Sequence, residues 1–140
     1  MENQKTILKE NEELNKYIAE LNEDLELSVM NLKEKSLMMS TIRSKWLAYL
    51  FKEKENLSRI KDAKGKILSS KLNDKSSNSS ILRLKNEDTI AKGDETIQKL
   101  SKMQKVTESN IDFIERSMNI LNDFVWQVKN SIEIIKLNSL

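Results

Sequence analysis

The chain has 140 residues, 33% of them charged and 38% hydrophobic, with no Pro, Cys or His, two Gly and a formal net charge of +2. Lacking Cys and His, it has no disulfide, no zinc site of the usual kind and no Cys- or His-based catalysis. Lacking Pro, and with few Gly, it has little to interrupt very long helices. No apolar run has the length of a membrane span and the opening MENQKTILKE lacks the apolar core of a signal peptide, so a soluble cytoplasmic protein with no membrane partner is expected.

The charge is unevenly spread. Residues 1–40 carry −4, residues 41–75 carry +6 and residues 76–140 carry 0. A basic centre on a helix favours polyanions. A thin core, completed by association between copies, fits a single helical domain over residues 1–140 with so few aromatics.

Helix A is expected from about residue 3 to 27, with Ile7, Asn11, Leu14, Ile18, Leu21 and Leu25 on its seam. Asn11 reads either as a polar residue that sets the register of a core or as part of a frayed terminal turn. Helix B is expected from about residue 30 to 72, with Ile42, Trp46, Leu50, Leu57, Ile60, Ile67 and Leu72 inward. Glu53 and Lys64 interrupt that seam, and Gly65 marks either a kink or a close backbone contact.

Ser, Asn and Asp crowd the stretch from Asn73 to Ser80, so a polar loop is expected over residues 73–85. Helix C follows from about 86 to 137, with Asn86 as a candidate N-cap and Gly93 near its start. Ile111, Ile114, Met118, Leu121, Val125, Val128, Ile132 and Ile135 are spaced alternately 3 and 4 apart along it, the a/d pattern of a heptad seam. B and C are expected to form a long antiparallel helical hairpin, with A as an additional N-terminal helix. Because B's seam is the poorer, C's surplus apolar surface is expected to join copies by coiled-coil-like packing, the alternative being a seam fully buried within one chain against helices A and B. The oligomerisation residues are then Ile114, Met118, Leu121, Val125, Val128, Ile132 and Ile135.

The candidate polyanion-binding residues are Lys45, Arg59, Lys61, Lys64, Lys66, Lys71 and Lys75, cations set at intervals along helix B as phosphate binding requires. Among the aromatics beside them, Trp46 fits a core anchor, while Tyr49 and Phe51 are open to stacking on bases. The adjacent carboxylates Glu12/Glu13, Glu23/Asp24, Glu87/Asp88 and Asp94/Glu95 point in different directions and have no base or nucleophile beside them. They read as solvated faces and caps, and no enzyme activity, cofactor or metal site is expected.

Two stretches resemble a known family. Ser44-Lys45-Trp46-Leu47, followed by the basic helix, and Trp126, Gln127, Val128, Lys129, Asn130, Ser131, Ile132, Glu133 and Lys136 resemble the UvsY-like family of phage recombination mediators. Leu84 to Ile97, with Asp88 and Ile90, fits as well, and the likeness spans roughly residues 21–137. The resemblance implies a non-enzymatic, ring-forming homo-oligomer, a hexamer or heptamer. Its implied partners are single-stranded DNA, a RecA-like recombinase and single-strand-binding protein. The family's basic Lys-Ala-Arg-Leu motif falls on Ser69, Ser70, Lys71 and Leu72, where one cation is lost and Lys64 and Lys66 stand about one turn upstream. The family's Gly before the C-terminal aromatic is Val125 here, which favours a continuous helix, and the acidic stretch before Leu21 reads as an extension. The rival class is a coiled-coil scaffold or chaperone-like protein that binds only protein partners.

Overall fold

The computed structural model describes residues 11–74 and 95–139, with side chains as far as residue 70 in the first segment. Among them are three helices and no strand: α1 (Glu12–Asp24), α2 (Leu32–Asp74) and α3 (Glu95–Asn138). The all-α expectation holds. Ile7, the side chains of Lys71 and Leu72, Lys75, most of the expected polar loop, Asn86 and Gly93 lie outside the described residues.

The two ends of α1 and the start of α2 have local causes. The Asn11 side chain accepts a hydrogen bond from the Leu14 N–H at 3.3 Å. It is therefore the N-cap of α1, neither a core position nor a frayed turn, with Glu12 and Glu13 favourable in the first turn. Ser28 and Asn31 exchange side-chain and backbone hydrogen bonds at 2.7 and 3.3 Å, a reciprocal capping box that starts α2. Lys35 donates to the carbonyls of Glu23 and Asp24, both at 3.0 Å, adding to the Glu26 N–H that the Glu23 carbonyl also accepts at 3.2 Å at the end of α1. Gly65 does not break α2, and a Cβ there would meet nothing within 4 Å. Of its two expected meanings, the close backbone contact is therefore ruled out.

The chain divides into two compact units. The first joins Met1–Lys52 to Ser109–Leu140 and holds a three-helix core. Tyr17 and Leu21 from α1, Leu32, Met39, Ile42 and Trp46 from α2, and Ile114, Leu121, Phe124 and Val128 from α3 are buried together. Helices α1 and α2 run antiparallel, since Asp24 meets Lys45 while Glu20 meets Tyr49. Helices α2 and α3 are antiparallel too: Leu32 and Ile135 line one groove, and Trp46 lies 6.4 Å from Phe113 between ring centroids. The second unit, Glu53–Glu108, is described over Glu53–Asp74 and Glu95–Glu108, where Ile60 and Ile97 are the buried apolar side chains.

The α3 seam departs from its expected phase. Its buried positions are Thr107, Asn110, Ile114, Ser117, Leu121, Phe124 and Val128, again alternating 3 and 4. Ile114, Leu121 and Val128 belong to both readings. Met118, Val125 and Ile132 pack at the edge of the core, and Ile135 is 39% exposed. The apolar pattern missed Ser117 because hydroxyls count as polar. Its Oγ donates to the Phe113 carbonyl at 2.7 Å, which satisfies it inside the core. Much of the seam assigned to association between copies is thus covered within one chain. The cover comes partly from α1, whose Tyr17 and Leu21 supply what α2 lacks. Tyr17, within the stretch before Leu21, is accordingly part of the core.

Candidate nucleic-acid interface

Within the first unit, carboxylates of the acidic helix α1 pair with Lys45 and Lys52 of α2. Lys45 Nζ lies 2.7 Å from Asp24 Oδ2 and 3.0 Å from Glu20 Oε1. The same Asp24 Oδ2 accepts from Trp46 Nε1 at 2.8 Å. Asp24, expected on a solvated face, is in fact buried at 8% exposure and serves as the polar anchor of the core. Burial depresses the Lys45 pKa, but the hydrogen bonds and charges of Asp24 and Glu20 together outweigh it, and the net shift is upward. The Tyr49 hydroxyl, raised in pKa by burial and then by its bond to Glu20, donates to Glu20 Oε1 at 2.7 Å. Lys52 reaches Glu13 at 3.4 Å, an exposed and weak pair.

The expected aromatic patch is split in the same way. Trp46 is 0% exposed and stacks edgewise on Tyr49 at 5.4 Å, the core role its spacing indicated. Tyr49 is half-buried, so Phe51, 65% exposed, is the member of the trio left facing solvent.

The second unit differs. Arg59 pairs with Glu55 one turn away at 2.7 Å, with both side chains mostly exposed. Such a pair contributes about 0.3–0.5 kcal/mol and gives way easily to a phosphate. Lys61 and Lys66 are exposed and Lys64 is half-buried. Among the described residues no ion pair or hydrogen bond engages any of the three. On α3, Lys99, Lys102 and Lys105 are exposed and likewise unengaged among the described residues. Sequence reasoning missed these three because the charge of residues 76–140 sums to zero. Their recurrence every three residues, which keeps them within one helical sector, was the signal. Among the described residues no cluster of His, Cys, Asp or Glu could hold a metal ion, and no helix is long and apolar enough to cross a membrane.

No protein-family model matches the chain, and no curated protein does. Solved structures do. The bacteriophage T4 recombination mediator protein UvsY in one crystal lattice superimposes with a TM-score of 0.75 at 17% identity, over 89% of this chain and 98% of that one. This chain shares the UvsY fold. A second lattice of UvsY gives a TM-score of 0.73 at 17% identity, over 90% of this chain and 97% of that one. The UvsY likeness runs across nearly the full length of both chains, more than the residues from Leu21 onward could supply.

Proposed function

We propose that this protein is a non-enzymatic recombination mediator that binds single-stranded DNA without sequence preference. Its task is to promote loading of a RecA-like recombinase onto DNA coated with single-strand-binding protein, in the host cytoplasm if a phage encodes it. The observation that carries this reading is the UvsY fold across almost the whole chain together with Lys61, Lys64, Lys66, Lys99, Lys102 and Lys105 of the second unit, unengaged among the described residues. Lys61, Lys64, Lys66, Lys99, Lys102 and Lys105 are the primary phosphate contacts, with Arg59 released from Glu55. Lys45 is held by Glu20 and Asp24 and has little charge left to offer. Lys71 and Lys75 extend the same basic run.

Copies meet through the outward side of α3. With Ile114, Leu121 and Val128 consumed inside the chain, the apolar surface available to a neighbour near the end of α3 includes Trp126, Ile134, Ile135 and Leu137, exposed at 64%, 58%, 39% and 67%. An exposed aliphatic and aromatic column of this kind favours association. Gathering modest sites in one ring raises avidity by about 10²–10⁴.

Native mass measurement with and without oligothymidine tests both halves. The expected result is a ring-sized species that takes up the oligonucleotide, with affinity falling steeply with salt at about 0.7 in log–log slope per phosphate neutralised. A stable monomer, or an affinity flat in salt, overturns the proposal. A scaffold that binds proteins alone would retain its activity when the lysines of the second unit are replaced by Ala.

A further inference from the structure

A groove in the first unit combines an arginine with an apolar floor and has no carboxylate in its lining. It lies between α2 and α3 and has a volume of about 350 Å³, within the usual range for small-ligand sites. Its polar lining is Ser40, Arg43, Ser44 and Asn122, and its floor is Leu47, Met118 and Leu121. Arg43 is exposed, and among the described residues it makes no ion pair or hydrogen bond. That sets it apart from Lys45 and Lys52 in the same unit, both paired with carboxylates of α1.

We infer that this groove is a nucleotide subsite, in which Arg43 takes a phosphate of the bound single strand and the adjoining base lies over Leu47 and Met118. The inference rests on the proposed single-strand binding and gives it a defined location. The chemistry matches group by group. A guanidinium offers a planar fork to phosphate oxygens, which a lone ammonium does not. Ser40 and Ser44 hydroxyls, three residues before and one after Arg43, can donate to the same phosphate or to the sugar. A thioether and a branched aliphatic side chain present a soft surface to a base face, and sulfur–aromatic contact is favourable. The Asn122 amide both donates and accepts, so it can meet the edge of any base without selecting one. Leu47 is 42% exposed, apolar area that a base would cover.

The test is a salt-dependent titration of labelled oligothymidine with the full chain, its Arg43→Ala and Arg43→Lys forms, and a sample carrying ¹³C-methyl methionine. If the groove is a subsite, Arg43→Ala lowers the log–log salt slope by about 0.7 and weakens binding several-fold, Arg43→Lys restores the slope but not all the affinity, and the Met118 methyl signal shifts on adding oligonucleotide. Unaltered thermal unfolding of both variants rules out a folding defect. Should the parent chain bind while Arg43→Ala keeps its slope and the Met118 methyl stays put, the subsite is wrong and single-strand binding elsewhere stands. Should the parent chain bind no oligonucleotide, both fall together.

Discussion

The two units spend their charges differently. In the first, residues 11–52 and 109–139 carry nine cations against eleven carboxylates, and α1 brings carboxylates up to Lys45 and Lys52 of α2 beside an aromatic core. In the second, residues 53–70 and 95–108 carry eight cations against five carboxylates, with little buried apolar surface among them. A carboxylate brought up to a lysine by tertiary packing turns a potential phosphate contact into part of the scaffold. In the second unit, Lys61, Lys66, Lys99, Lys102 and Lys105 are exposed and unengaged among the described residues. Availability for a polyanion therefore follows from what packs opposite each cation, more than from the density of basic residues along α2.

The contrast can be broken most sharply at Trp46. Its replacement by Ala should cost about 4 kcal/mol of stability, read as a lowered denaturant midpoint, because a fully buried aromatic and its bond to Asp24 are lost together. Asp24→Ala should cost about 3 kcal/mol, since it strands the Trp46 N–H and the partly buried Lys45. Asp24→Asn, which keeps an acceptor for Trp46, should cost nearer 1 kcal/mol. An Asp24→Ala protein as stable as the parent would remove the case for Asp24 as the polar anchor of the first unit.

Substitutions in the second unit should have the opposite profile. Replacing Lys61, Lys64 and Lys66 by Ala together should lower the salt slope for oligothymidine by about 2, at about 0.7 per phosphate, while stability changes by no more than about 0.5 kcal/mol, as for exposed sites generally. The same triple change with no loss of slope would mean the free lysines are not the contacts. Gly65→Ala should stabilise by about 0.5–1 kcal/mol, because the position is helical and the added methyl has open space around it.

The smallest effect is in pH. Lys45 and Tyr49 both have raised pKa values, so their protonated forms are favoured in the folded state. Their contribution is complete below the ordinary Lys and Tyr range and is lost as pH rises through the raised values. Unfolding free energy should stay level across neutral pH on their account and decline only in the alkaline region, above about pH 10. A chemical-denaturation series over that interval, with Tyr49→Phe as the reference, measures it.

Much of the fold was legible from local rules. The scarcity of Gly and absence of Pro indicated long helices, and α2 and α3 are continuous over Leu32–Asp74 and Glu95–Asn138. Trp46 was placed in the core by spacing alone. The phase of the α3 seam was less legible, because a helix packed against two partners buries a wider stripe than a two-helix seam does. Ser117 inside and Met118 at the edge is the result. The basic residues were all visible, but their standing was not: Lys45 and Lys66 look alike in sequence, and one is held by two carboxylates while the other is exposed.

The amino-acid sequence by itself determined the helices, their heptad spacing and the surplus of positive charge after residue 40, since these depend on intrinsic propensity and on neighbours three or four residues away. Only the tertiary structure decided which seam positions are covered within the chain and which cations are neutralised. Those outcomes depend on α1 lying across residues more than twenty positions distant, where Asp24 meets Lys45 and Trp46. Sequence periodicity within one helix carries no information about which face a second helix will cover.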